Sequence, residues 1–239
     1  SMAGKQLGFN DTRGTLFFNI MQIAKYHKPK ILLLENVKRL KTHDGGKTFA
    51  IIIGALKELG YNVFSQILNA KDFGLPQNRE RIYIVAIRDL NKFEFPIPPK
   101  TKTKVGDILE KGVDKKYTIS NKLWAGHRRR KKQHEKNGNG FGYSLFGSND
   151  IYTSTISARY YKDGSEILIK KKGKSNPRKL TPREAARLQG FPETYIIHPS
   201  NTQAYKQFGN SVAIPVIRAI ALQIDKILKE KYIMNKFEQ

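Results

Sequence analysis

The sequence predicts an α/β fold: an incomplete, doubly wound sheet that a small, mostly β insert interrupts and a C-terminal helix closes. An apolar run at residues 31–34 ends abruptly in Glu35 and Asn36, as expected for a strand buried on both faces of a parallel sheet. Segments of helical apolar spacing alternate with this and later apolar runs, which is typical of α/β sheets. After the proline cluster at residues 96–99 the chain becomes rich in Gly, Lys, Tyr and Ser, which indicates a domain boundary.

The elements follow from periodicity and punctuation. After a polar loop at residues 1–14, helices are predicted at 15–26 and 47–60 and strands at 31–34, 61–68 and 81–87. In the insert we predict a basic helix at 123–136 and strands at 152–161 and 166–171. A capping box at 181–184 starts a short helix, and a long amphipathic helix covers 213–232. About three strands is fewer than the roughly five or six of a doubly wound sheet, so the sheet is predicted to be incomplete. The predicted domains are 1–97, the incomplete catalytic part, 98–180, the insert, and 181–239, a segment that returns to the catalytic part and ends in the last helix.

Charge and composition narrow the classes of function. Lys and Arg number 44 against 20 Asp and Glu, a net charge of +24. This favours a polyanionic partner such as nucleic acid, although a lysine-rich composition without a partner remains an alternative. The sequence has no cysteine, so disulfides, thiolate metal sites and a cysteine nucleophile within this chain are excluded, and no metal site is predicted. No apolar run approaches membrane-spanning length and no signal peptide opens the chain, so we expect a cytoplasmic protein without a membrane role.

Three groups of polar residues are candidates for a site. Glu35 and Asn36 follow a strand, where ligands bind in open α/β sheets; the alternative is a carboxylate that leaves a core strand for solvent. Arg79 and Arg81 alternate along an extended segment and are expected to project into one pocket, unless they are solvated charges near Glu80. Asn210 and Ser211 precede the last helix, whose free N–H groups favour a polar ligand, although a helix cap also accounts for Ser211.

Four strings in this order match one family: E-N-V at 35–37, Q-N-R-E-R at 77–81, R-K-L-T-P-R-E-A-A-R-L-Q-G-F-P at 178–192 and Q-F-G-N-S-V at 207–212. Together they span almost the whole chain. The sequence therefore resembles the C-terminal two-thirds of a bacterial DNA (cytosine-5) methyltransferase of the restriction–modification type. The resemblance implies S-adenosylmethionine as the cofactor and a flipped cytosine in double-stranded DNA as the substrate.

The resemblance also implies roles for single residues. Glu35, Arg79 and Arg81 would be catalytic, and Asn36, Val37, Asn210, Ser211 and Val212 would contribute to the cofactor site. Residues 152–169 are similar to the recognition regions of enzymes that methylate the inner cytosine of CCGG, CCNGG or CCWGG sites. Thr155 would lie against the backbone of the target base, and Arg159 would bind guanine. The basic run would contact phosphates, unless it is simply a solvated charged face: Arg128, Arg129, Arg130 and Lys131.

The sequence also departs from the family pattern. The string G-K-Q-L-G-F-N-D-T-R-G, which starts at Gly4, follows the Pro-Cys-Gln motif with the nucleophile in the family, and neither that motif nor the upstream cofactor loop is present here. The chain alone is therefore expected to be inactive. A second subunit of a split enzyme and a truncated gene both fit this pattern. The expected partner is a complementary N-terminal subunit, or a second copy through an uncovered sheet, and the alternative function is a sequence-specific DNA-binding module without a catalytic role.

Overall fold

The computed structural model describes residues 12–140, 142–171, 173 and 175–237, and the chain divides into two compact units. The first contains Ser1–Leu68, Glu80–Ile97 and Ala219–Gln239, and the second contains Asn69–Arg79 and Pro98–Arg218. Residues 181–218 therefore group with the insert, whereas the sequence places them in a separate return segment. The predicted loop at residues 1–11 lies outside the described residues, and residues 12–14 belong to the first helix.

The first unit is built on a three-stranded sheet with helices beside it. Its elements are α1 (Thr12–His27), β1 (Ile31–Val37), α2 (Lys47–Glu58), β2 (Asn62–Asn69) and β3 (Glu80–Ile87), with the strands in the order β1-β3-β2. The long helix α6 (Ile214–Phe237) ends in this unit. Burial of one face of the sheet against the helices forms the core, whose buried members are Met21, Ile52, Leu56, Tyr61, Ile82, Ile84 and Ala86.

The direction of β1 differs from the prediction. It pairs antiparallel with β3, with Ile31 opposite Ile87 and Val37 opposite Arg81, so the expected parallel pairing is wrong. β1 is an edge strand of the described sheet, and residues 31–34 are half-buried rather than buried. An apolar run indicates that a segment packs against other apolar groups, but it does not indicate the direction of the neighbouring strand.

The second unit has fewer strands than the sequence predicts. Its elements are α3 (Asn121–Lys136), β4 (Leu145–Phe146), β5 (Leu168–Ile169), α4 (Pro182–Leu188) and α5 (Asn201–Asn210), and β4 and β5 pair in parallel. Of the strands predicted at 152–161 and 166–171, only Leu168–Ile169 forms a strand. Within residues 152–161 the structure has only an isolated bridge between Thr153 and Gln77, and side chains bond the amide and the carbonyl of Ile156.

Helix α5 is absent from the prediction. Ala204, Tyr205 and Phe208 are buried on it at helical spacing, but the polar residues among them weaken the apolar pattern. Gly209 and Asn210 are consequently the end of α5, and Ser211 is its C-cap. The predicted capping box of α4 is confirmed, because Thr181 Oγ1 accepts from the Glu184 amide and the Glu184 carboxylate accepts from the Thr181 amide.

The core of the second unit surrounds α4 and α5. It includes Ile156, Tyr160, Leu180, Leu188 and Phe208, each at most 1% exposed. Within the described part of the chain, no helix combines the length and the apolar character needed to cross a membrane.

Candidate functional site

An ion pair between Glu35 and Arg81 stands at one edge of the first unit. Arg81 Nε lies 3.0 Å from Glu35 Oε1, and the two side chains are 15% and 25% exposed, respectively. In the β1–β3 ladder Glu35 is opposite Tyr83 and Val37 is opposite Arg81, and residues that oppose each other share a face of the sheet. Glu35, Val37, Tyr83 and Arg81 therefore lie on one face, while Ile82 and Ile84 point to the core on the other.

Fixed groups surround the guanidinium of Arg81. Its Nη1 donates to the Glu80 carbonyl oxygen at 2.8 Å. Burial lowers the pKa of Arg81, and Glu35 and then Tyr83 oppose this shift. Tyr83 was missed from the sequence, although its position two residues after Arg81 on a strand predicts the same face. The arrangement presents a carboxylate and a guanidinium together, which can recognise a planar polar ring through paired donors and acceptors.

The neighbours of Glu35 in β1 are more exposed. Asn36 is exposed, and its Oδ1 accepts a hydrogen bond from the Val37 amide at 2.8 Å. Val37 is half-buried. The side-chain NH2 group of Asn36 and the surface of Val37 are the parts that a ligand can reach.

In the second unit, Arg79 is a buried structural centre. It is 3% exposed, and it donates to the carbonyl oxygens of Ile156 at 3.1 Å, Gly209 at 3.4 Å and Ser211 at 2.8 Å. The expectation that Arg79 projects into an open pocket is not met, because its guanidinium donates to these backbone oxygens instead. The guanidinium fork suits this task, since it reaches several acceptors from one fixed plane.

Ser211 is engaged through all its polar groups. Its amide donates to Gln207 O at 2.9 Å, its hydroxyl donates to Phe208 O at 2.8 Å, and its carbonyl accepts from Arg79. The contacts of Ser211 therefore agree with the alternative that it caps a helix. It caps the C-terminus of α5, however, and not the start of α6. Asn210 is exposed and Val212 is half-buried.

The basic helix α3 carries cations with different surroundings. Arg128 lies over the ring of Trp124 at 5.6 Å, and Lys131 lies over Tyr143 at 5.0 Å. Arg130 pairs with Asp163 at 3.1 Å, so it anchors the helix. Arg129 is exposed, and within the described residues its side chain makes no hydrogen bond or ion pair.

Two predicted recognition residues lie on the segment 153–160. Thr155 is half-buried, and its hydroxyl donates to the Asn78 carbonyl at 2.7 Å. Arg159 is exposed, and in the described part of the chain its guanidinium has no protein partner. Of the two, Arg159 is the side chain that a ligand can reach. Across the described residues, no group of three or more His, Asp or Glu side chains is placed to hold a metal ion.

Comparison with known proteins gives consistent matches. The family C-5 cytosine-specific DNA methylase matches residues 1–226. The chain is 62% identical to type II methyltransferase M1.ScrFI of Lactococcus lactis subsp. cremoris, over 96% of the chain and 60% of that protein. It is 65% identical to type II methyltransferase M.SsoII of Shigella sonnei, over 94% of the chain and 60% of that protein. It thus spans about three fifths of the length of these relatives.

Solved structures share the fold. A methyltransferase from Entamoeba histolytica, EhMeth, matches with a TM-score of 0.75 and 22% identity, over 92% of this chain and 71% of that one. The Dnmt2 methyltransferase of S. pombe matches with a TM-score of 0.71 and 21% identity, over 94% and 74% of the two chains. The α/β fold class predicted from the sequence is confirmed by this likeness.

Proposed function

The chain belongs to the C-5 cytosine-specific DNA methylase family, and we propose that it forms part of an enzyme that methylates C5 of cytosine in duplex DNA. The observation that carries the proposal is the Glu35–Arg81 ion pair, with 3.0 Å between Nε and Oε1. It supplies a carboxyl group and a guanidinium side by side on a partly exposed face. These two groups match the edge of cytosine that carries N3 and O2.

The chemistry explains why both groups are needed. C5 of cytosine is a weak nucleophile, and addition of a thiolate at C6 makes it reactive. In our proposal the protonated Glu35 carboxyl donates a hydrogen bond to N3 of cytosine. N3 takes up the negative charge that develops on the ring as the thiolate adds at C6. Arg81 donates to O2 of the same ring and keeps the Glu35 carboxyl in place. The base must leave the duplex to reach these groups.

The residues of this sequence supply no thiolate, because they include no cysteine. We propose that a partner chain supplies it and that the chain alone does not transfer methyl groups. Half-buried residues 31–34 on the β1 edge and the exposed Leu222 and Leu228 of α6 support such a partner, since uncovered apolar surface favours association. A second copy of this chain that covers the same surface is the other candidate.

We further propose S-adenosylmethionine as the methyl donor. In the first unit Asn36 is exposed beside the half-buried Val37, and in the second unit Asn210 is exposed and Val212 is half-buried. Each pair thus offers a polar and an apolar contact for such a ligand. Ser211 is already fully bonded, so its role is to hold Asn210 and Val212 in place. When bound, this cofactor supplies an electrophilic methyl group on a positively charged sulfur.

The second unit would bind the DNA. Exposed Arg129, with Arg128 and Lys131 on the same helix, would contact phosphates and give affinity without sequence information. Arg159 would bind guanine in a site of the CCGG, CCNGG or CCWGG type. Thr155 and Arg79 would act indirectly, because both hold backbone in this unit. Arg130 would orient α3 through Asp163.

The test is complementation. The chain would be mixed with the N-terminal half of a relative that carries the Pro-Cys-Gln motif and the cofactor loop. Transfer of tritiated methyl groups to duplexes with CCGG, CCAGG or CCCGG sites would then be measured. We expect activity for one class of site, and we expect Glu35→Gln to lower it about 100- to 10,000-fold by removing the group that protonates N3.

The matched control is Glu58→Gln, a change at an exposed carboxylate at the end of α2, which should leave the rate unchanged. Full activity of Glu35→Gln would contradict the proposal. Site-specific DNA binding without methyl transfer in any mixture would instead support a recognition module without a catalytic role.

A further inference from the structure

A buried chain of side-chain amides runs through the second unit. Gln77 and Gln189 are both 0% exposed. The Ile156 amide donates to Gln77 Oε1 at 3.0 Å, Gln77 Nε2 donates to Gln189 Oε1 at 3.2 Å, and Gln189 Nε2 donates to Phe208 O at 2.6 Å. The chain starts at a backbone donor and ends at a backbone acceptor, so each amide has one favoured orientation. Gln77 Nε2 also donates to Leu188 O at 2.9 Å.

The loop before β3 holds one peptide segment from both sides. Gln77 accepts from the Ile156 amide while Arg79 donates to the Ile156 carbonyl. Beside them, the amide and the hydroxyl of Thr153 both donate to Pro76 O, at 2.8 and 3.2 Å. The side chains of Gln77 and Arg79 thus bond both backbone polar groups of Ile156, which fixes the position and the orientation of its backbone.

Gly209 packs closely against the backbone of the same segment, at Ser157 and Ala158. A Cβ atom at this position would lie 2.2 Å from the carbonyl carbon of Ser157 and 2.3 Å from the Ala158 nitrogen. Only glycine allows this approach. Residues 153–158 therefore have little freedom to shift.

Arg159 emerges directly after this fixed segment. Its amide donates to Ser157 Oγ at 3.1 Å, and Ser157 Oγ in turn donates to the Glu166 carboxylate. Since its guanidinium is exposed and has no partner among the described residues, its direction depends on the backbone that carries it. Bidentate binding of guanine tolerates little error in that direction.

We infer that Gln77 and Gln189 are positioning residues that set the sequence specificity of DNA binding without touching DNA. The inference rests on the DNA recognition proposed above. A buried polar chain is costly unless every member is satisfied, and this one orders the segment that presents Arg159. Loss of a link lets the segment take several positions, so the preferred site loses affinity while phosphate binding is retained.

The test is a discrimination ratio. Anisotropy of labelled duplexes would give Kd for CCGG, CCAGG, CCCGG and scrambled sites. For Gln77→Leu we expect the ratio of scrambled to preferred Kd to fall about tenfold, the equivalent of losing ~1.4 kcal/mol, with Kd for scrambled DNA within about twofold of the unchanged chain's. The matched control is Gln203→Leu, at an exposed position of α5, which should keep the ratio.

A second variant gives a readout that general loosening would not produce. In Gln77→Glu the carboxylate can still accept from Ile156, but it has no proton to donate to Gln189 and Leu188. Lowering the pH protonates the introduced carboxyl, whose O–H replaces one amide donor. We expect the discrimination of Gln77→Glu to be lost at about pH 8 and to recover on acidification, relative to the unchanged chain at the same pH. Gln189→Glu should behave alike.

The outcomes separate the two claims. If the unchanged chain discriminates between sites and Gln77→Leu or Gln77→Glu discriminates equally well at about pH 8, the inference is wrong and the proposed function stands. A fall in affinity for all duplexes by the same factor also overturns the inference. If the unchanged chain binds all duplexes alike, both the inference and the proposed recognition of a site are wrong.

Discussion

Arg79 and Arg81 are two residues apart in sequence, yet they lie in regions of opposite character. Arg79, in the second unit, is 3% exposed and donates to three backbone carbonyl oxygens. Arg81, in the first unit, is partly exposed and pairs with the carboxylate of Glu35. The guanidinium of Arg79 is buried and directed at backbone oxygens of its own unit, whereas that of Arg81 lies beside a partly exposed carboxylate.

Within one short motif, one arginine therefore holds the fold together and the other is placed to contact a ligand. A buried guanidinium that donates to three backbone oxygens is not accessible to a substrate, and its removal leaves buried acceptors without donors. A guanidinium beside a partly exposed carboxylate has fewer buried backbone acceptors that depend on it, so its removal costs less stability. The sequence alone predicts the same role for Arg79 and Arg81, because both are alternate residues of one extended segment.

The largest effect on stability is expected at Glu184, the most enclosed charge of the second unit. Its carboxylate accepts from Arg178 Nη1 and Nη2 at 2.7 Å each, and from the amides of Glu110 and Thr181 at 2.8 Å each. Glu184→Gln places an NH2 group against these donors. We expect the free energy of unfolding to fall by about 3–5 kcal/mol, measured by urea denaturation.

The matched control uses another Arg–Glu pair of the same region. Arg187 Nε lies 2.8 Å from Glu193, whose side chain is 63% exposed. Glu193→Gln should change the urea midpoint very little, because water replaces the lost contact. Equal effects of the two substitutions would show that burial does not distinguish these pairs.

An intermediate effect is expected when Lys replaces each arginine of the motif. Arg79→Lys keeps the charge but cannot reach three carbonyl oxygens, so we expect a loss of about 3 kcal/mol. Amide hydrogen exchange should rise at residues 153–158 and 208–212. Arg81→Lys keeps one donor for Glu35, so it should cost about 1–2 kcal/mol, less than Arg79→Lys, and leave exchange at those residues unchanged, although it should lower methyl transfer in the complemented enzyme. Increased exchange in the second unit of Arg81→Lys would remove the distinction between the arginines.

The smallest effect is expected from the titration of His127, which is 1% exposed on α3. Arg130 Nη2 can only donate, so His127 Nδ1 accepts at 3.3 Å and Nε2–H donates to Asp163 O at 3.3 Å. Burial lowers the pKa of His127 below 6.5, opposed by Asp163 and assisted by Arg130. Burial also opposes ionisation of Asp163, but hydrogen bonds from Ser165 and Arg130 outweigh it and lower the pKa of that carboxyl.

The sign of the pH effect follows from the lowered pKa. The unfolded chain takes up a proton near the ordinary pKa of 6.5, while folded His127 remains neutral, so stability falls as the pH drops below that value. Fluorescence of Trp124, the single tryptophan, reports unfolding from the same helix. In His127→Gln, which can make both hydrogen bonds, the pH dependence should be flatter. An unchanged profile would place the titration elsewhere.

The sequence predicts the first unit better than the second, and the reason is physical. Helices α1 and α2 and strands β2 and β3 follow from apolar periodicity, because burial on one face imposes it. The direction of β1 and the helix α5 were not predictable in this way. The first depends on a partner distant in sequence, and the second mixes polar residues with its buried face.

The candidate site shows the same division. Glu35, Arg81, Asn210 and Arg159 are recognisable as side chains at the ends of elements or in loops. The internal roles of Arg79 and Ser211 depend on carbonyl oxygens more than 70 residues away for Arg79 and on an unpredicted helix for Ser211. No local pattern records such contacts, so only the folded chain reveals them.

The hold of Pro76–Arg79 on residues 153–156 has a consequence for protein engineering. A recognition segment transplanted from a relative arrives without the side chains that fix its backbone, unless residues 76–79 and Gly209 accompany it. Exchange of the three pieces together keeps the donors and acceptors matched. Under the proposed function, chimeras built from the contiguous stretch alone would discriminate less well between DNA sites, so the unit of exchange is discontinuous in sequence.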